Sequence, residues 1–342
     1  MGIDIKAMPK PIRAFFNGIG QVVFIENVIA GMMIFVSFFI AGLEMNHWDF
    51  ASWDSWKFVV FTAIGVNLSN LVAFLMGADR DAITSGLFGF CPNLVAIGAA
   101  VFAGNLWTSW IVLVAGCILV VPVQIVINRF TGHFGLPGFT FPFIVMTWFF
   151  ILISYQTDLL DYGRAGVLAD SAVSAGGWMS GFDWGSWNIN DWLLFFTNGF
   201  EEIYILDGWI ASFIVLAAYL WYKWDFGLKA CIAMLFTVGF GLVFGVNMNL
   251  MNYALYGYSA ILTVGGLDTF CKSKINSGRY WFLFFLGLVL TCFINYAIPS
   301  ILGTFGLPNC TLAFVVAGWI ILVVEHFMVE QAEKRALNKQ QS

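Results

Sequence analysis

The chain has 342 residues, of which 60% are hydrophobic and only 10% charged, with a formal net charge of −5 at pH 7 and a mean hydropathy of +0.85. A water-soluble protein cannot bury that much apolar surface and still cover itself with wettable groups. The composition therefore excludes a soluble enzyme and defines an all-α polytopic membrane protein, and without a basic patch there is no nucleic-acid partner to expect.

Lys6, Lys10 and Arg13 stand ahead of the first apolar run, Val22–Leu43. That run exceeds the roughly 7–15 apolar residues of a signal-peptide core, so it reads as a retained membrane helix. A span needs about 20 apolar residues, and further candidates follow at Phe58–Met76, Ile83–Ala103, Leu106–Ile127 and Phe139–Ser154. The second half repeats the layout at Ile203–Leu220, Ala230–Val246, Leu255–Phe270, Tyr280–Ile298 and Thr311–Met328. The pieces that begin near Phe90 and Tyr258 open with Gly-aromatic turns and are expected to cross only half the bilayer.

The order suggests a first membrane repeat over 1–155, a connecting loop over 156–198, a second repeat over 199–330 and a short tail over 331–342. The connecting loop carries Asp158, Asp161, Asp170, Asp183 and Asp191 against a single basic residue, Arg164, whereas the tail carries Lys334, Arg335 and Lys339. The positive-inside rule then places both termini in the cytoplasm and the loop outside. Each half must cross an odd number of times, about five, and the halves are inverted relative to each other. Their short termini suit a bacterial inner (plasma) membrane.

Direct comparison of the halves supports the repeat. Gly135-Leu136-Pro137-Gly138-Phe139-Thr140 returns as Gly306-Leu307-Pro308-Asn309-Cys310-Thr311. Gly20-Gln21-Val22-Val23-Phe24 falls against Glu201-Glu202-Ile203-Tyr204-Ile205, and Gly86-Leu87-Phe88-Gly89-Phe90-Cys91 against Ala254-Leu255-Tyr256-Gly257-Tyr258-Ser259. A lone threonine at a helix start is usually a cap or bonds back to a carbonyl. Two at matched positions point to a pair facing one pathway. Inverted repeats place the substrate site near the midplane, where broken helices direct their ends at it. The six cysteines lack metal-ligand spacing and read as small buried hydrophobes. His47, His133 and His326 are scattered, so no metal or other cofactor is expected.

These motifs together resemble the urea transporter family. Gly18-Ile19-Gly20-Gln21-Val22-Val23-Phe24 is similar to its first signature, and Asp79-Arg80-Asp81 with Gly86 to Phe90 and Leu94 to Ile97 is similar to its second. Ala254 to Thr263 looks like a second copy of that block, and the two Gly-Leu-Pro-x-x-Thr stretches resemble its paired signatures. The resemblance implies a homotrimer of subunits set in lipid, each with its own passive channel for urea or a close amide-like solute, and no enzyme activity. It further implies an outer aromatic slot flanked by Phe24 and Ile205 with Gln21 and Glu202 beside it. Phe90, Leu94 and Tyr258 would line an inner slot, and Thr140 and Thr311 would face each other between the two.

Several positions depart from the family pattern. The second copy has Glu202, beside Glu201, where Gln is expected; Cys91 and Ser259 replace Asn; Val28 and Trp209 replace Pro. An ionisable residue inside a membrane protein is a functional candidate, balanced here by a surface or structural role for Glu202. A carboxylate in the pore, with Phe24, Phe90 and Tyr258 as cation-binding rings, leaves open a facilitator of guanidinium, methylammonium or choline-like ions in the same scaffold. Glu26 and Asp207 suit helix-end roles, Asp79 to Asp81 a loop fixing the next helix, and Trp178, Trp184, Trp187 and Trp192 an interfacial belt.

Overall fold

The computed structural model describes residues 7–103, 107–157, 188–244 and 257–341. Asp158, Asp161, Arg164, Asp170, Trp178, Asp183, Trp184, Trp187 and Ala254 to Tyr256 lie outside the described residues. Among those described, the fold is built from α-helices and short 3-10 turns with no strand. Six helical stretches are long and apolar enough to cross a membrane. They include α2 (Val28–Met45), α3 (Trp53–Leu75) and α6 (Thr108–Gly132) in the first half.

The first helix, α1 (Lys10–Gln21), is amphipathic and too short to register as a span. It buries Phe15, Asn17, Gly18 and Ile19 and ends where the chain reverses at Phe24, whose φ is 63°. The Ile25 N–H closes the reversal on the Gly20 carbonyl at 3.0 Å. Asn27 then caps α2 by accepting from the Ala30 N–H. The apolar run expected from Val22 therefore becomes a turn followed by a helix beginning at Val28.

The expected span Ile83–Ala103 is broken. Asp79 caps the short α4 (Arg80–Thr84) by accepting from Ala82 N–H at 2.9 Å, so the charged loop does start a helix. The chain then turns at Gly86, φ 89°, and resumes as α5 (Phe90–Phe102). At 1.5 Å per residue α5 is about 20 Å long, short of a hydrocarbon core of about 30 Å. After α6 comes α7 (Phe141–Ser154), also short.

The second half contains α8 (Ile189–Thr197), two 3-10 turns (Asn198–Phe200 and Glu202–Tyr204) and α9 (Trp209–Tyr222). It continues through α10 (Trp224–Phe244), α11 (Gly257–Phe270), α12 (Gly278–Leu302) and α13 (Leu312–Gln341). Two stretches differ from the sequence reading. Residues 189–197, read as connecting loop, form a helix whose Phe195 is buried, and α8 packs on α9 and α10. The helix of residues 312–341 also continues through the stretch read as a tail.

The two halves repeat each other's backbone. Phe24 and Ile205 are both left-handed (φ 63° and 61°), as are Gly135 and Gly306 (68° and 64°) and Phe139 and Cys310 (48° and 46°). The exchange is reciprocal in hydrogen bonds. The Trp148 indole donates to the Pro308 carbonyl at 2.9 Å, while the Trp319 indole donates to the Pro137 carbonyl at 2.8 Å. Each half thus ties down the Gly-Leu-Pro turn of the other.

Gly86 is the least replaceable of these turn positions. An added Cβ would sit 2.4 Å from the backbone of Asn17 and Gly18, in a conformation that side chains rarely adopt. Backbone strain of about 1–3 kcal/mol joins overpacking of similar size. Gly86→Ala is expected to lower the thermal midpoint of the detergent-solubilised protein by several degrees; an unchanged midpoint would show that the turn relaxes.

Candidate functional site

The site begins with the two Gly-Leu-Pro turns. Each proline fixes its own φ and removes a donor, and each turn then passes through a left-handed residue, Phe139 or Cys310, immediately before its threonine. That reversal directs both threonines inward at the starts of α7 and α13. Their hydroxyls meet: Thr140 Oγ1 and Thr311 Oγ1 are 2.6 Å apart, and both residues are buried. The pair expected from the repeat is brought into direct hydrogen-bonding contact.

The carbonyls preceding the threonines are also held. The Cys91 thiol donates to the Phe139 carbonyl at 3.8 Å, and the Tyr258 hydroxyl donates to the Cys310 carbonyl. Cys91 and Tyr258 lie at the starts of α5 and α11, two of the short helices. Departure from the family residue at Cys91 therefore falls on a carbonyl latch at the waist. Ser259, the matching residue, is fully buried in α11.

Beside the waist lies a cavity of about 370 Å³. Gln21, Phe24, Phe90 and Thr140 border it, together with Gln124 and Phe270. The Phe24 ring makes edge-on contacts with Phe139, Phe270 and Phe314 at centroid distances of 6.1, 5.9 and 6.0 Å. Phe139 and Phe314 are 4.6 Å apart. This is a wall of rings with one polar edge. The Gln21 side chain contributes to that edge and donates from Nε2 to the Ser85 carbonyl at 3.0 Å.

The remaining expected site residues are placed as follows. Leu94 is fully buried in α5, within the hydrophobic core. Ile205 occupies the second-half turn that matches Phe24, and Glu202 is half-buried just before it. Phe24 and Phe90, expected in an outer and an inner slot, both border this cavity. The left-handed reversal at Phe24 and the turn at Gly86 bring the ends of α1 and the start of α5 together, with Gly18 Cα-close to Gly89.

The neighbouring carboxylates have structural partners. Glu201 is fully buried and its Oε1 accepts from the Ser37 hydroxyl at 3.2 Å. Asp207 accepts from Asn198 Nδ2 at 2.6 Å, while Asn198 Oδ1 takes the Gly208 N–H at 3.1 Å, which closes the turn into α9. Glu44, not singled out in the sequence, accepts from the N–H groups of Ile210 and Ala211 at 3.1 and 3.0 Å, at the same helix start. Sequence reading also missed Gln124 and Phe270. A glutamine inside an apolar helix was the available signal for the first; Phe270 is one ring among many, and its place emerges only on folding.

Among the described residues, an all-helical core of membrane-length helices with shorter helices between them and a shared polar waist defines a polytopic membrane protein of the transporter and channel class. Residues 12–326 match the family described as Urea transporter, and the chain belongs to that family. It is similar to Urea transporter 1 of Capra hircus and of Ovis aries, each 25% identical over 317 residues, covering 90% of this chain and 75% of the relative. It is likewise similar to Urea transporter 1 of Mus musculus, 24% identical over 319 residues with the same coverage.

Removing one hydroxyl of the waist strands the other in a buried place, at a cost of about 1–3 kcal/mol. Thr140→Val and Thr311→Val are each expected to lower stability by that amount, while the double variant loses less than the sum. A double-mutant cycle on thermal stability should give a coupling above about 0.5 kcal/mol; additivity would mean the hydroxyls do not pair.

Proposed function

We propose that this protein is a passive transmembrane channel for urea or a closely related small amide-like solute. The observation that supports it best is the contact of Thr140 with Thr311 next to a ring-walled cavity, in a chain of the urea transporter family. A flat solute with two amide groups must shed water to enter a narrow pore. Aromatic faces can cover its two flat sides, and oxygen acceptors along one edge can replace the water lost from its N–H groups.

The waist acts on such a solute by exchange. A threonine hydroxyl both donates and accepts, so the two that bond each other can each bond a solute passing between them. The side chains part, and the solute carbonyl and amide hydrogens take over the interaction. No buried hydroxyl is left unsatisfied during passage, which keeps the barrier low. Selection is by shape and hydrogen bonding, and no covalent step is involved.

Gln21, Phe24, Phe90, Leu94, Thr140, Glu202, Ile205, Tyr258 and Thr311 form the proposed solute path. Leu94 acts from behind as packing, and Tyr258 by holding the Cys310 carbonyl. The first repeat (1–155) and second repeat (199–330) would be inverted across the membrane, joined by the extracytoplasmic segment 156–198. Both termini would be cytoplasmic in a bacterial inner membrane, with Lys10 and Arg13 at one end and Lys334 and Arg335 at the other. A homotrimer with one path per subunit fits the family. Nothing in the relatives favours an organic-cation substrate, and that alternative is set aside.

Reconstituted into liposomes, the protein should carry urea down its gradient without a proton or sodium gradient. Absence of urea flux would overturn the reading, and strict dependence on an ion gradient would replace the channel with a coupled transporter. Thr140→Val should cut the flux at least tenfold while Thr140→Ser retains most of it. Glu202→Gln should keep urea flux within about twofold, since an amide oxygen accepts as a carboxylate does.

A further inference from the structure

The cavity holds a polar side chain that neither the repeat nor the family signatures single out. Gln124 lies in the middle of α6 and is 2% exposed. Its Nε2 donates to the Leu87 carbonyl at 2.5 Å, in the turn between α4 and α5. A carbonyl can only accept, so the amide orientation is set: Nε2 faces Leu87 and Oε1 faces away from it. That Oε1 has no hydrogen-bond partner. A buried acceptor left unpaired is costly, and Gln124 borders the cavity beside Thr140.

Gln21 is arranged in the same way. Its Nε2 donates to the Ser85 carbonyl, two residues before Leu87 in the same turn. One turn thus anchors the donor ends of two glutamines that border one cavity, and each keeps its acceptor oxygen and the second hydrogen of its amide.

The opposite half supplies a comparison. The residue matching Gln124 is Asn295, and the one matching Gly138 is Asn309. There, Asn309 Nδ2 donates to Asn295 Oδ1 at 2.7 Å. In the first half Gly138 has no side chain to offer; the space where its Cβ would stand is taken by the Asn128 amide, and Gln124 Oε1 is left without the partner that Asn309 gives Asn295. The difference between Gly-Leu-Pro-Gly and Gly-Leu-Pro-Asn accordingly makes the halves unequal.

We propose that Gln124 Oε1 is a solute acceptor, which together with Gln21 binds the two amide groups of a urea-like molecule in this cavity before it reaches the threonine waist. The proposal rests on the channel reading above and adds a specificity-determining residue to it. The class of ligand is a small neutral molecule with at least two N–H donors on one edge. Replacing those hydrogens with methyl groups should weaken binding at Gln124 and leave the ring contacts in place.

The test is the concentration dependence of solute flux in proteoliposomes, for urea and for N,N-dimethylurea, in wild type and Gln124→Met. Methionine keeps the bulk of the side chain and removes its acceptor. The expected result is a half-saturation for urea raised about tenfold with a smaller change in maximal flux, and a loss of preference for urea over the methylated solute. A structural role alone would lower the amount of folded protein and the maximal flux without moving that preference. Unchanged half-saturation and preference in a wild type that carries urea overturn this inference and leave the channel intact. A wild type that carries no urea overturns both. If Gln124→Met does not fold, Gln124→Asn is used. Its shorter amide cannot hold Leu87 and face the cavity together, and half-saturation should rise at least threefold; no rise overturns the proposal.

Discussion

The bond between the Thr140 and Thr311 hydroxyls is the point on which the two halves of this protein converge. It needs each half to reverse twice within a few residues, at a left-handed glycine and again at Phe139 or Cys310. Such conformations are costly for residues with side chains, so the surroundings must hold them. They do so crosswise, through Trp148 on Pro308 and Trp319 on Pro137. Neither half can set its own threonine without the other.

Around this waist the polar groups fall into two kinds. Some are closed on themselves: Asp207 with Asn198, Glu44 on the start of α9, and Thr263 with Thr291 at 2.8 Å. The ion pair of Lys229 and Asp268, at 3.0 Å and almost wholly buried, belongs with them. A buried pair of this sort adds little net stability, but it fixes the end of α11 two residues before Phe270, a ring of the cavity wall. Others are left without a partner, as Gln124 Oε1 is beside the cavity.

The repeat is kept in backbone and varied in side chains. Phe24 is matched by Ile205, Gly138 by Asn309 and Gln21 by Glu202, in or beside turns whose left-handed residues have nearly the same φ. Pseudo-symmetry repeats the course of the backbone, and the substituted positions change polarity and space along it.

Composition and periodicity were enough to read a helical membrane protein, the matched halves and the paired threonines, because apolar length and repeated turn residues are local properties. The break between α4 and α5 was also legible, from Asp79, Gly86 and Gly89. Helix starts were not: Val22 to Asn27 is apolar enough to continue α2, yet the hydrogen bond of Ile25 to Gly20 turns it aside. The helical 189–197 escaped notice because its stability comes from packing on α9 and α10 rather than from its own length. The grouping of Phe24 with Phe90, the ring wall completed by Phe270 and the unpaired oxygen of Gln124 were decided by tertiary structure alone. Each depends on which residues distant in sequence arrive at the same cavity, and no spacing along the chain encodes that.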